Sequence, residues 1–157
     1  MRLTELLTEE RVAVRHVDAS HPLDKRQVLQ ILSHMLAAGA RVDEALVDRV
    51  LTEREQLQST GIGEGVAIPH GALPQLETQY ASLLVVPEGV EFVAIDGLKV
   101  NILFAVIGPK RATGEHLKTL ARISRLLRNK TFRDRLLNVA HPRDAYVLIA
   151  EEEADGR

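Results

Sequence analysis

The feature that most constrains the fold of this chain is the segment 100–107, Val-Asn-Ile-Leu-Phe-Ala-Val-Ile, which is apolar at all but one position. A strand with one face in water alternates apolar and polar residues, whereas a strand covered on both faces is apolar nearly throughout. Gly108 and Pro109 follow the segment and favour its end there. We therefore predict a central strand with helices packed against both of its faces.

Shorter apolar and β-branched runs predict three more strands, at 66–68, 81–86 and 91–95. The last is predicted as an edge strand or hairpin arm, with a turn at Asp96-Gly97 that leads into the central strand. Apolar residues at helical spacing predict helices on either side of these strands, so the pattern indicates a layered α/β domain. The predicted helices begin at or near Asp24, Asp43, Thr113, Thr131 and His141, and three of them have predicted stops at Gly39, residues 56–57 and Asn129.

Composition excludes several classes of function. The chain has 157 residues with 20 Lys+Arg against 22 Asp+Glu, and its net charge of −2 lacks the basic surplus of a nucleic-acid-binding protein. It has no cysteine, which excludes disulfides, thiolate zinc sites and cysteine nucleophiles. No apolar run approaches the roughly 20 residues that span a bilayer, and acidic residues near the N-terminus argue against a signal peptide. We therefore predict a cytoplasmic domain over 1–150 with an acidic tail at 151–157, no nucleic-acid partner and no membrane insertion.

The segment 54–71 carries the residue types needed for chemistry. In order it contains Arg54, Ser59, Thr60, glycines at 61, 63 and 65, and His70 at the end of a short apolar strand. Glycines permit backbone conformations that other residues avoid, and a polar loop with free N–H groups and two hydroxyls is suited to hold an anion. Gly71 is expected to leave one side of His70 unobstructed.

Three kinds of site could use this arrangement. A nucleotide-binding loop has the wrong order, because those loops leave a strand and open a helix, whereas these glycines lead into a strand. A metal site lacks paired ligands, since no two of the six histidines have a His-x-x-x-His spacing. A phosphoryl-accepting histidine fits best, because neutral imidazole is nucleophilic and an arginine and hydroxyls can hold the phosphoryl group. On these residues alone, a structural histidine beside a tight glycine turn is the alternative.

The segment 60–71, Thr-Gly-Ile-Gly-Glu-Gly-Val-Ala-Ile-Pro-His-Gly, with Arg54-Glu55 and Ser59 before it, resembles the active-site signature of type-2 EIIA domains of the bacterial phosphotransferase system. These are the fructose/mannitol-specific and nitrogen-regulatory EIIA proteins. Segments 92–97, 100–105 and 115–120 have the order and spacing of that family, and the resemblance covers about residues 3–150. It implies an α/β sandwich with a mixed β-sheet flanked by helices in a single domain, and no metal or cofactor.

The resemblance also implies roles for five residues. His70 matches the histidine that accepts a phosphoryl group from the phosphocarrier HPr or its nitrogen-branch counterpart. Arg54 matches an arginine that stabilises the phosphoryl group, and His116 matches a second histidine close to the first. Ser59 and Thr60 match hydroxyl positions of the signature loop and are predicted to bind the phosphoryl group.

The position of His116 has a physical interpretation of its own. It falls in the first turn of the helix predicted to begin at Thr113, where the positive end of the helix dipole disfavours imidazolium. A neutral ring could donate a hydrogen bond to the phosphoryl group or orient His70. The remaining histidines match no family position and are predicted to be solvated or capping residues: His16, His21, His34 and His141.

The predicted function is that of a phosphocarrier in a nitrogen-regulatory branch, with a regulatory target protein downstream. One alternative is a sugar-specific EIIA that passes the phosphoryl group to an EIIB component for fructose or mannitol transport. Another is a binding module whose docking is switched by phosphorylation. Because the site must meet other proteins, we expect an apolar rim around His70, with Val66, Ile68, Ala72 and Leu73 as candidates for the rim or its support.

Overall fold

The computed structural model describes residues 2–156 and arranges them as one mixed sheet of six strands between two helical layers. The hydrogen-bonded order is β1-β5-β6-β3-β2, and β4 also pairs with β6. Strand β6 runs antiparallel to β5 and parallel to β3 and β4. The predicted α/β fold is therefore confirmed. The strands are β1 (Val12–Val14), β2 (Gly61–Gly63), β3 (Val66–Ala67), β4 (His70–Leu73), β5 (Tyr80–Val90) and β6 (Val100–Pro109).

Helices cover both faces of the sheet. Helices α2 and α3 pack on one face, and α1, α4, α5 and α6 pack on the opposite face. Strand β6 contributes to both layers by alternation, because Ile102, Phe104 and Val106 face the second layer while Leu103, Ala105 and Ile107 face the first. The central strand covered on both faces is thus confirmed. The helices are α1 (Leu3–Leu6), α2 (Lys25–Ala40), α3 (Glu44–Leu57), α4 (Thr113–Leu127), α5 (Lys130–Leu137) and α6 (Pro142–Gly156).

The segment 91–95 is not a strand, so that prediction is wrong. Val93 has a φ of 55°, which interrupts extended backbone in the middle of the segment. The turn that follows is present, since the Gly97 N–H donates to the Ala94 carbonyl at 3.0 Å. The Ile95 N–H donates to the Gly61 carbonyl at 3.3 Å, so the segment folds back along β2 instead of pairing with β6.

Gly39 does not cap α2, contrary to the prediction. The helix continues to Ala40, and Arg41 adopts the left-handed conformation with a φ of 58°. Gly39 lies inside the last turn. The position requires a glycine because the Arg11 side chain occupies the space that a Cβ would need. The sequence requirement for glycine is therefore close packing and not helix termination.

The ends of the other helices follow the predictions to within two residues. Asp24 and Asp43 are the N-caps of α2 and α3, accepting hydrogen bonds from backbone N–H groups of the first turn. Thr113 is the first residue of α4 and not its cap, and Asn129, predicted as a stop, accepts from the Phe132 N–H as the N-cap of α5. Thr131 therefore lies inside α5, one residue after the helix begins.

The C-terminal segment is helical beyond residue 150. Helix α6 continues to Gly156, and the Glu153 carboxylate accepts a hydrogen bond from the Leu3 N–H at 2.6 Å. This contact joins the two ends of the described chain, while the domain boundary at 150 stays a prediction. None of the helices formed by residues 2–156 is both long and apolar enough to cross a membrane.

Candidate active site

The glycine-rich segment forms the β2–β3 hairpin. Glu64 and Gly65 are the two central turn residues and have φ values of 57° and 82°, the positive values that a right-twisted two-residue hairpin turn requires. A glycine suits such a position because it has no Cβ to clash there. The hairpin delivers the chain through β3 and Pro69 to His70 at the start of β4.

The N–H groups of this loop have partners within the protein. Thr60 donates to the Glu55 carboxylate, Gly61 donates to the Ser59 hydroxyl at 3.1 Å, and Glu64 donates to the Asp96 carboxylate at 2.8 Å. The prediction of a loop with free N–H groups is therefore wrong at these three positions. The loop acts as a scaffold that fixes β3 and β4 beside β6.

Glu55 organises the scaffold from inside the protein. Its side chain is 4% exposed and forms an ion pair with Lys25 Nζ at 2.8 Å. It also accepts hydrogen bonds from both the N–H and the hydroxyl of Thr60. Glu55 was not predicted to have a role, but the sequence carries a signal for its burial, because Glu55 continues the buried i, i+4 row of Val47 and Leu51 on α3.

Ser59 and Thr60 therefore have hydrogen-bond partners within the protein, on α3 for Thr60 and in the loop for Ser59. The Thr60 hydroxyl donates to Glu55, and the Ser59 hydroxyl accepts from the Gly61 N–H. A phosphoryl group requires donors, so the Thr60 hydroxyl would have to turn away from Glu55 to bind one. The phosphoryl-binding role of both residues stays a prediction.

His70 has one ring nitrogen tied to the backbone. Nδ1 lies 2.7 Å from the Ile68 carbonyl oxygen. Since a carbonyl only accepts, Nδ1 carries the proton and Nε2 carries the free lone pair. Burial lowers the pKa of His70 and the positive charge of Arg54 lowers it further, which outweighs the opposing effects of the Ile68 hydrogen bond and Glu55. The ring is therefore neutral at pH 7.

His116 lies beside His70, as the resemblance implied. The two ring centroids are 5.7 Å apart and the rings are tilted by 51°. Burial lowers the pKa of His116, and the proximity of His70 adds to this effect, so the second ring is also neutral. The backbone of His116 makes the first hydrogen bond of α4, with its N–H donating to the Ala112 carbonyl at 3.1 Å.

Arg54 lies in the last turn of α3, and its guanidinium Nη1 donates to the Gln58 carbonyl at 2.8 Å. Gly71 holds this helix close to β4, because a Cβ at position 71 would overlap Cγ1 of Val50. Val50 and Arg54 are one helical turn apart and so share a face of α3. The expectation that Gly71 leaves a side of His70 open is wrong, since α3 fills that side.

Three of the four residues predicted to form the rim or its support provide support, and the fourth, Ala72, is half-buried in β4. Val66, Ile68 and Leu73 are buried in the core and support the strands from below. Leu57 is 83% exposed at the end of α3 and Leu117 is 60% exposed on α4, next to His116 in sequence. These two leucines provide apolar surface beside the elements that carry Arg54 and His116, which is a usual composition for a docking site.

The chain is similar to known proteins over nearly its whole length. Residues 5–152 match the family described as "Phosphoenolpyruvate-dependent sugar phosphotransferase system, EIIA 2". A "Nitrogen regulatory protein" of Bradyrhizobium diazoefficiens is 35% identical over 150 residues, which are 96% of this chain and 95% of that protein. The crystal structure of nitrogen regulatory protein IIA-Ntr from Neisseria meningitidis has a TM-score of 0.84 and 28% identity, covering 94% of this chain and 98% of that chain. A "PTS system fructose-specific EIIA component" of Haloferax volcanii is 29% identical over 132 residues, 83% of this chain and 85% of that protein.

Proposed function

The chain belongs to the EIIA 2 family of the phosphoenolpyruvate-dependent sugar phosphotransferase system, and we propose that it carries a phosphoryl group on Nε2 of His70. The donor is a phosphohistidine of an HPr-type carrier protein. The observation that carries the proposal is the hydrogen bond from Nδ1 of His70 to the Ile68 carbonyl, because it leaves Nε2 as the nucleophilic nitrogen. The low pKa of His70, caused by burial, keeps that nitrogen unprotonated.

The proposed reaction exchanges one N–P bond for another. The Nε2 lone pair of His70 attacks phosphorus in line with the donor imidazole, and the electrons of the breaking N–P bond return to the donor nitrogen. The proton stays on Nδ1, which donates to the Ile68 carbonyl throughout, so the exchange needs no net proton transfer. The loose transition state spreads negative charge over the equatorial oxygens, where the Arg54 guanidinium and an N–H of His116 would stabilise it.

The donor would approach across the apolar surface of Leu57 and Leu117. Their exposure is compatible with a contact that is made and released with each transfer, because a small apolar patch excludes water without a large buried area. The charged helix ends around the patch would guide the encounter. A downstream partner would use the same surface, since it must reach the same phosphorus atom.

The nitrogen-regulatory branch is the main proposal for the downstream step. It is supported by the similarity to nitrogen regulatory proteins, with a regulatory target protein as the expected partner. A second candidate is transport, in which an EIIB component receives the phosphoryl group, and it is supported by the similarity to a fructose-specific EIIA. Cytoplasmic location is part of both proposals, because the soluble carriers of the system act there.

The test is phosphorylation with phosphoenolpyruvate, the general phosphotransferase enzyme and an HPr-type carrier. We expect acid-labile phosphate on the wild type and none on His70→Ala, with ³¹P spectra showing phosphate on Nε2. His34→Ala is the matched control, because His34 is an exposed histidine paired with Glu44 at 2.7 Å, away from the sheet. Unlabelled folded wild type, or label that persists in His70→Ala, would overturn the proposal.

The branch requires a second assay. Phosphorylated protein is mixed with EIIB components of fructose and mannitol type, and the loss of label from His70 is followed. Retention of the label with every EIIB supports the regulatory branch. Rapid transfer of the phosphoryl group to one EIIB would contradict the regulatory branch and support the transport function.

A further inference from the structure

Two polar atoms lie buried without a hydrogen bond next to the proposed site. They are Nδ1 of His116 and Oε1 of Gln79, and neither has a partner among the residues that the structure describes. Gln79 as a whole is 5% exposed. Buried polar atoms are nearly always hydrogen-bonded, since leaving one unpaired costs about 1–3 kcal/mol. Two such atoms beside a catalytic pair therefore point to a shared role.

The sheet brings the two side chains together over Gly108. Tyr80 pairs with Ile107 in the antiparallel β5–β6 register, which places Gln79 opposite Gly108. A Cβ at Gly108 would lie 3.0 Å from Cγ of Gln79 and 3.3 Å from Nδ1 of His116. The glutamine and the imidazole therefore both border the space that a side chain at position 108 would fill.

The same face of the sheet also carries His70. Its register partner on β6 is Val106, which faces the layer that contains α4. His116 of α4 therefore lies with His70 on the β4 side and Gln79 on the β5 side, because β6 runs between β4 and β5. Nδ1 of His116 lies against Gly108, and Nε2 is the other nitrogen of the ring.

We infer that Gln79 is a positioning residue that fixes the tautomer of His116. The Gln79 amide turns so that its NH₂ donates to Nδ1 and its Oε1 faces the cavity that Gln79 lines, which places the single proton of the neutral ring on Nε2. Gln79 also lines a cavity of about 250 Å³ with Thr119 and Lys118, so its amide has room to turn its NH₂ toward the ring. The use of the resulting Nε2–H, as a donor to the phosphoryl oxygens, rests on the proposed function.

The experiment measures the tautomer directly. Two-bond ¹H–¹⁵N spectra of imidazole-labelled protein identify which nitrogen of His116 is protonated, with the signals assigned from their loss in His116→Asn. We expect the wild type to carry the proton on Nε2. Gln79→Leu should lose this preference, and Gln79→Glu should move the proton to Nδ1, because a carboxylate only accepts. Gly108→Ala should resemble Gln79→Leu, since its methyl group would separate Gln79 from His116.

The second measurement is the phosphorylation rate. Gln79→Leu should slow it by about 2- to 12-fold, the range that one net hydrogen bond provides. Ser33→Ala is the matched control, since it removes another buried, unpartnered polar atom, on α2 in the opposite layer. It should change neither the tautomer nor the rate.

A proton on Nδ1 in the wild type, or the same tautomer in the wild type and the Gln79 and Gly108 variants, would overturn the inference. A wild type that is never phosphorylated would overturn the proposed function instead, because the tautomer is read in the unphosphorylated protein. A variant that fails to fold is recognised by its amide spectrum. The test then uses the remaining variants at Gln79 and Gly108.

Discussion

Substitution of Gly71 by alanine tests whether the close approach of α3 to β4 builds the proposed site. The added Cβ would overlap Cγ1 of Val50, so either the valine must change its position or α3 must move away from β4. Val50 belongs to a packed helix face and is half-buried, which limits its freedom to move. We expect the helix to shift, and Arg54, one turn later, to shift with it.

The expected cost follows from overpacking. One extra methyl group in a packed interface destabilises a protein by about 1–3 kcal/mol. For a chain of this size each kcal/mol lowers the melting temperature by about 2–4 °C. Urea unfolding should show a lower midpoint with an unchanged m-value, because the exposed surface on unfolding is the same. Phosphorylation of His70 should also slow, since the guanidinium would no longer face the phosphoryl group.

A double-mutant cycle isolates the cause. Val50→Ala alone should cost ~1 kcal/mol, because the lost methyl groups are only partly buried. It also removes the atom that the new methyl group would overlap, so the double variant should be about as stable as Val50→Ala alone. Gly114→Ala is the matched control, since an added Cβ there has no atom within 4 Å among those described. Additive losses in the double variant would refute the steric explanation.

Three further outcomes are expected. The rate of phosphorylation should stay high as the pH falls to about 6.5 and decline only below it, because burial lowers the pKa of His70 beneath that of an ordinary histidine. The stability contributed by the neutral ring is likewise complete above pH 6.5 and is lost as the pH falls through the folded-state pKa. A decline of the rate centred above pH 6.5 would contradict this prediction. Arg54→Ala should slow phosphorylation by about 10- to 150-fold through loss of one charged donor. It should also raise the pKa of His70, measured by NMR titration, because the charge of Arg54 lowers that pKa. An unchanged rate and pKa would place Arg54 outside the site. Thr60→Val should lower the free energy of unfolding by about 1.5–3 kcal/mol, because the buried Glu55 carboxylate loses a donor. Calorimetry checks this value. Slower phosphoryl transfer by the folded variant at unchanged stability would show instead that the hydroxyl binds the phosphoryl group.

The central strand and helices α2 and α3 were predictable because local patterns dictate them. The nearly unbroken apolar run at 100–107 follows from burial on both faces, and the side chains of Asp24 and Asp43 cap helices that begin beside them in sequence. The segment 91–95 has the composition of a strand, yet its backbone is set by Val93 in a positive-φ conformation and by a contact with Gly61. Such a contact between distant residues has no signal in the local pattern.

The glycines show the same distinction. Gly65 is a turn residue, and its role is predictable from the hairpin it belongs to. Gly39, Gly71 and Gly108 are required for the side chains that pack against them, namely those of Arg11, Val50, and Gln79 with His116. These neighbours are distant in sequence, so the sequence shows where the glycines are but does not predict which side chains pack against them. The pairing of His70 with His116 was likewise available only through resemblance.

The hydrogen bond between His70 and Ile68 has a consequence for how partners distinguish the two states of the carrier. It is made by Nδ1, and the proposed reaction places the phosphoryl group on Nε2, so the ring would keep its orientation whether Nε2 is free or phosphorylated. Phosphorylation then adds about two negative charges at a fixed point and demands no rearrangement of the backbone. A partner that prefers one state would recognise the added negative charge, because the shape of the surrounding surface would be the same in both states. Its selectivity should therefore weaken as salt is added, since screening acts on charge and leaves shape untouched.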